Sequence, residues 1–232
     1  MPAIADQTAP RAALICLPVA GDPASPVLAG RSICARQLDL ALHLGCGLVV
    51  LHGPGHPGEA VALRHRAEAA GARVVLIGSA HALIGAIPAQ GSLLVLQPGL
   101  LPESPAAIAA LREAAAILVV SAGPGAQAGF ERIDLDRAWA GALVLPGTML
   151  GRLAALPEDS DPAPALLRVA LQQRLPEARL ADGLLDGGDW CLIRTATMAS
   201  VQVSGWLQRA AGAPDTGQLT RRLARQVLVG RL

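Results

Sequence analysis

Along this chain, short apolar runs alternate with longer stretches in which apolar residues recur every three or four positions. Residues 12–19 (AALICLPV), 47–51, 73–77, 92–96 and 117–120 read as strands, because each run is apolar without polar alternation. Between them, residues 32–44 (SICARQLDLALHL) place Ile33, Leu38, Ala41 and Leu42 on one helical face, and residues 59–70 and 105–115 are also helical in pattern. A short helix is predicted near residues 81–84. Strands that lack polar alternation are covered on both faces, so the β-α-β-α order predicts an α/β fold. The expected architecture is a Rossmann-like three-layer α/β/α stack around a mostly parallel sheet. Its ligands would meet the loops at the strands' carboxyl ends. Leu14, Leu17, Val49, Val75, Leu94, Val95 and Leu118 are the expected sheet core.

Beyond residue 123 the rhythm changes. A charged segment runs into a strand near residues 142–145, and residues 148–156 and 164–175 are helical in pattern. The second of these is led by DSDP, an N-cap cluster with Pro in the first turn. Residues 189–195 (DWCLIRT) suggest a strand and residues 198–211 a helix. The chain therefore divides into one α/β domain over residues 1–217 and an amphipathic C-terminal helix over residues 218–232. In that tail Arg221, Arg222, Arg225 and Arg231 supply positive charge, while Leu219, Leu223, Val227 and Leu228 fall near one face. Such a helix either docks on an anionic membrane or a membrane-associated partner, or packs on its own domain.

Composition narrows the chemistry. The net charge of +1 removes the electrostatic case for nucleic acid, and the aromatics are only Phe130, Trp139, Trp190 and Trp206, too few for base stacking. There is no Lys, so no ammonium is available as a phosphate clamp or Schiff-base nucleophile. Cys16, Cys34, Cys46 and Cys191 follow no zinc spacing. No basic region precedes an apolar run at the N-terminus, and no run is long enough to span a bilayer, so a cytoplasmic location is expected.

The order of segments carries a resemblance. VAGDPASP after the first strand leads through VLAGR into GRSICARQLDLALHLGCGLVVLHG, and LLVLQPGLLPE follows later. WAGALVLPGTMLGRLAAL and DWCLIRTATMASVQVSGWL complete the C-terminal half. This order resembles the sugar- and polyol-phosphate nucleotidyltransferases, of the nucleotide-diphospho-sugar transferase type. The ending APDTGQLTRRLARQVLVGRL is similar to the junction that joins a cytidylyltransferase domain to a CDP-alcohol phosphotransferase in the bifunctional inositol-phosphate cytidylyltransferases. The resemblance implies a site for a nucleotide or phosphorylated polyol, Mg2+ as cofactor, a membrane phosphotransferase as partner, and a position peripheral to the inner membrane.

The departures from that family are specific. Its phosphate loop is reduced here to Ala20, Gly21 and Asp22, with Arg31 as the cation that can replace the missing Lys. The metal-binding carboxylate that ends its fourth-strand motif is replaced by Gln97, Pro98 and Gly99, and the second by Leu192 and Arg194. Neither Leu nor Pro ligates magnesium, so standard metal-assisted transfer is compromised. The segment FERIDLDR holds five charges in eight residues and is either a solvated loop or a polar wall of the cleft. In the second case Arg132 and Arg137 grip phosphate, and Glu131, Asp134 and Asp136 bind hydroxyls or a metal. His52, His56 and His65 lack the ligands to complete a zinc site. Three functions follow: CTP-dependent cytidylyl transfer, a non-catalytic binding or scaffold subunit with degenerate motifs, and an oxidoreductase. The last is disfavoured because no strand is followed by G-x-G-x-x-G.

Overall fold

In a computed structural model of the chain, residues 11–18, 26–53, 55, 57–112 and 115–212 are described. In chain order the elements are β1 (Arg11–Cys16), β2 (Val27–Leu28), β3 (Arg31–Ser32), α1 (Ile33–His43), β4 (Leu48–His52), α2 (Pro57–Ala69), β5 (Arg73–Ile77) and β6 (Ser92–Leu96). They continue with β7 (Leu100–Pro102), α3 (Pro105–Ala110), β8 (Ala116–Ser121), α4 (Ala122–Gln127), β9 (Arg137–Pro146), α5 (Pro162–Gln172), β10 (Glu177–Arg179), α6 (Gly183–Asp186), β11 (Trp190–Leu192) and α7 (Ala196–Gly212). Two 3-10 segments, Ala80–Leu83 and Gly147–Ala155, stand where helical patterns were expected.

Seven strands form one sheet in the order β10-β8-β9-β6-β1-β4-β5. β9 runs antiparallel to both β6 and β8, and every other pairing in that sheet is parallel. Successive side chains of a strand face opposite sides, and here both sides are buried. Ala12, Leu14 and Cys16 pack with Leu150, Leu153 and the α5 side chains on one face. Ile15 and Leu17 pack with Cys34 and Leu38 of α1 and Leu63 of α2 on the other. This double coverage explains the unbroken apolar runs. Leu14, Leu17, Val49, Leu94, Val95 and Leu118 are buried as expected. Val75 is only partly covered because β5 is the sheet's edge, where the next residue, Leu76, is 54% exposed.

Three local departures matter for the site. β9 begins at Arg137, five residues before the strand expected near 142–145, and carries the buried Trp139. β7 and β11 form a separate antiparallel pair that brings residues 190–192 beside the end of β6. α3 stops at Ala110, where the Leu111 N–H already closes onto Ile108 O. Among the described residues no helix is long and apolar enough to cross a membrane. Ala20, Gly21, Asp22, His56 and the tail 218–232 lie outside the described residues.

Candidate functional site

β1, β4, β5 and β6 are mutually parallel or aligned through β1, so their carboxyl ends reach one edge of the sheet together. Cys16 is paired in register with His52, and Gly78 and Gln97 follow β5 and β6. The connections leaving this edge diverge to the two faces and leave a cleft of about 840 Å³, within the usual range for a small-molecule site. Residues 158–164, leading into α5, cover it from one face. Residues 97–99 and 193–194 line it from the other side, over the ends of β6 and β9.

The wall at residues 97–99 is held from beneath. Gln37 of α1 is 1% exposed, and its Nε2 donates to Gln97 O at 2.9 Å and to Leu100 O at 3.0 Å. The turn needs Gly99: its φ is +88°, and a Cβ there would lie 2.8 Å from Ile193 O. That closeness lets the Ile193 N–H donate to Gly99 O at 2.7 Å. Trp190, fully buried, fastens the same wall to the sheet by donating Nε1–H to Ala140 O at 2.7 Å. The 97–99 turn is thereby joined to residues 193–194, and Gln97 and Arg194 both line the cleft although they are far apart in sequence.

These are the positions that the resemblance equates with metal-binding carboxylates. What stands at these positions is a neutral amide and a guanidinium; Arg194 donates to Gly129 O at 3.3 Å. Leu192 is buried. A fixed positive charge and an amide do not form a site for a hard divalent cation. Among the described residues no group of three or more His, Cys, Asp or Glu is arranged to hold a metal. The residues at this point of the fold do not fit Mg2+. The Cys16 thiol does not substitute, since burial pushes it up to about 12 and keeps it protonated.

Of the residues predicted for the ligand, Glu131 lines the cleft. Arg132, Asp134, Asp136 and Arg137 stand outside its lining and build the hairpin that enters β9. Asp134 accepts from the N–H groups of Asp136 and Arg137, both at 2.9 Å, and from Arg137 Nε at 2.8 Å. Arg137 also pairs with Glu177 on β10. Its guanidinium, and then the backbone donors, hold Asp134 down to about 2. Arg132 donates to Leu135 O at 3.3 Å. Asp136 is exposed, and its carbonyl accepts from the Ala122 N–H. Arg31 pairs with Asp39 of α1, which Arg66 of α2 also holds at 2.6 Å. Arg31 thus ties β3 to α1, while Arg66 ties α2 to α1, and Arg31 is not among the cleft's lining residues. Arg36 donates to Leu28 O at 2.5 Å and lies 5.3 Å from the Trp206 ring centre.

Other groups enter the cleft without having been singled out for it. Glu158, Asp159 and Asp161 line it, yet DSDP reads as a helix cap. Asp161 is at the N-cap position of α5 but makes no capping hydrogen bond with its side chain. Its charge acts on His52 instead, whose pKa is lowered by burial, partly against Asp161 and a backbone hydrogen bond at Gly78. No sequence signal separates a capping Asp from one facing a cleft. His65 is exposed on α2, away from His52.

No family model and no curated protein matches the sequence. Solved structures do match in fold. A UDP-glucose pyrophosphorylase from Acinetobacter baumanii is similar at TM-score 0.56 and 12% identity, over 94% of this chain and 99% of that one. A nucleoside-diphosphate-sugar pyrophosphorylase from Vibrio cholerae RC9 gives 0.56 and 10%, over 83% and 99%. A UDP-glucose pyrophosphorylase in complex with UDP-glucose gives 0.57 and 9%, over 87% and 100%. The chain has the α/β/α fold of these proteins, with a mostly parallel central sheet.

Proposed function

We propose that this protein is a nucleotidyltransferase-like binding protein whose cleft takes a nucleotide or a phosphorylated polyol without the usual metal-assisted transfer. The observation that carries this reading is that Gln97 and Arg194, and no carboxylate, stand at these two positions of the cleft lining. Phosphoryl-type transfer uses a divalent cation to neutralise charge developing on the phosphates. Arg194 supplies positive charge there as a fixed guanidinium, which binds phosphate bidentately but gives no open coordination position. The partner proposed is a CDP-alcohol phosphotransferase, approached through the tail 218–232 at the membrane surface. The protein would serve that lipid-headgroup pathway as a binding or scaffold subunit.

A second reading is CTP-dependent cytidylyl transfer with a displaced metal site. It is favoured by the carboxylates of Glu131, Glu158, Asp159 and Asp161 on the cleft walls. One experiment separates the two: melting of the full chain with CTP, a CDP-alcohol or a polyol phosphate, with Mg2+ or with EDTA. A ligand at one hundred times its Kd stabilises by about 2.7 kcal/mol. The binding reading expects a rise in Tm that persists in EDTA and is lost in Arg194→Ala but retained in Arg132→Ala. A rise only with Mg2+ supports the transfer reading, and no rise with any ligand at millimolar concentration rejects both.

A further inference from the structure

The cleft's lining side chains are electrically lopsided. Among the described lining residues, Glu131, Glu158, Asp159 and Asp161 are four carboxylates and Arg194 is the one guanidinium. None of the four carboxylates has an ion-pair partner among the described residues; the ion pairs use Asp39, Asp134 and Glu177 instead. The carboxylates of residues 158–161 are separated from Arg194, whereas Glu131, whose carbonyl accepts from the Trp139 N–H, lies at the start of β9 near the guanidinium's end. Arg194 stands beside Gly99 and Gly129, over the ends of β6 and β9. Asp161 acts on Cys16 and His52, at the ends of β1 and β4. Two strand spacings, about 10 Å, part these positions, a gap that the long Arg and Glu side chains narrow.

The helix that opens at the acidic end is a poor phosphate site. Helix N-termini bind anions through free N–H groups, but Pro162 and Pro164 have none and the Ala165 N–H is already donated to Asp161 O at 3.0 Å, which leaves only Ala163 as a first-turn donor. Among the described lining residues, Arg194 is the stronger place for an anion. The acidic end has charge for a cation and no arranged trio of donors for a metal.

We propose that the cleft is a receptor for a small phosphorylated amine, with its phosphate on Arg194 and its ammonium group among Glu158, Asp159 and Asp161. This rests on the reading of the cleft as a phosphate-ligand site and names the ligand's second pole. Each ammonium on a ligand gains by entering this wall, and each further phosphate loses by repulsion from four carboxylates. A bare nucleoside triphosphate is the poorest fit, and a neutral polyol phosphate is intermediate.

Calorimetric titration of the full chain in EDTA tests the assignment. The probes are phosphoethanolamine, glycerol 3-phosphate and inorganic phosphate, with CTP and Mg2+ as a separate arm. Phosphoethanolamine is expected to bind at least tenfold more tightly than glycerol 3-phosphate. The double variant Asp159→Asn, Asp161→Asn should erase that preference without weakening glycerol 3-phosphate, and Arg194→Ala should weaken both organic phosphates alike. Glycerol 3-phosphate binding as tightly as phosphoethanolamine, or an equal loss of both in the double variant, overturns the ammonium assignment and leaves the broader reading standing. No binding of any probe, CTP with Mg2+ included, overturns both.

Discussion

Two acidic stretches lie near the same edge of the sheet, and they spend their charge differently. The hairpin at 130–137 closes on itself: Asp134 accepts two backbone N–H groups and Arg137, and Arg137 reaches on to Glu177. The loop at 158–161 has Glu158, Asp159 and Asp161 without an ion pair among the described residues, and all three line the cleft. The stretch with more charges is centred on one carboxylate paired within its own turn, although its Glu131 still lines the cleft, and the shorter stretch is available to a ligand. Charge count in sequence reports neither outcome; what sets Asp134 apart from Asp159 and Asp161 is a donor within its own turn.

That contrast depends on a rigid frame, and breaking the frame should have the largest effect. β9 carries the hairpin at its start and receives Trp190 at Ala140. Trp190→Ala removes a fully buried ring and its hydrogen bond, at a cost of about 3–5 kcal/mol. Tm should fall by roughly 10 °C or more, and phosphate-ligand binding at Arg194 should go with it in whatever fraction remains folded. Gln37→Leu is the milder version. It strips the donor from Gln97 O and Leu100 O but also removes a buried Oε1 that has no partner. The expected net loss is about 1–2 kcal/mol, measured by urea unfolding, with ligand affinity reduced more than stability alone explains.

How far the sequence revealed this arrangement depends on the range of the interactions. β1, β4, β5, β6 and β8 were legible because a strand buried on both faces must be apolar throughout. β9 was seen only in part, since its first residues mix Arg137 with small Ala138 and Ala140, and only pairing with β8 makes them a strand. β10, reading EAR, and β7, three residues ending in Pro, carry no strand pattern at all; partners distant in sequence create them. The site divides in the same way. The order of motifs singled out residues 97–99 and Arg194 as the places of lost carboxylates, and these residues and Glu131 do line the cleft. The role of Asp161 was hidden, because its exposure to the cleft follows from α5 packing on the far face of the sheet.

The hairpin side of the comparison can be sharpened with pH. Asp134 is held at about 2 when folded, against a reference of 3.8. A depressed carboxyl pKa contributes stability that is fully present above the unfolded value and is lost as pH falls through the folded one. Asp134→Asn should therefore lower Tm slightly at pH 6, and the difference from the parent chain should shrink below pH 4 and vanish near pH 2. Thermal melts across that range read the effect. Ligand affinity at pH 7 should not change; if it does, the hairpin is coupled to the cleft and the division between the two stretches fails.

The smallest stability effect is expected from the acidic loop itself. Ser32 and Asp161 both occupy N-cap positions, yet only Ser32 caps, accepting the Ala35 N–H at 3.2 Å. Removing a working cap costs about 1 kcal/mol, so Ser32→Ala should show that loss. Asp161→Asn gives up no cap. It loses a modest attraction to the start of α5 and relieves repulsion from Glu158 and Asp159, and these oppose each other. Its unfolding free energy should match the parent to within about 0.5 kcal/mol, while its affinity for a phosphorylated amine falls. A residue that stabilises the fold gives the reverse pattern. If Asp161→Asn costs as much as Ser32→Ala and leaves ligand binding intact, the loop is an ordinary helix start, and its charges are spent on the fold just as those of the hairpin are.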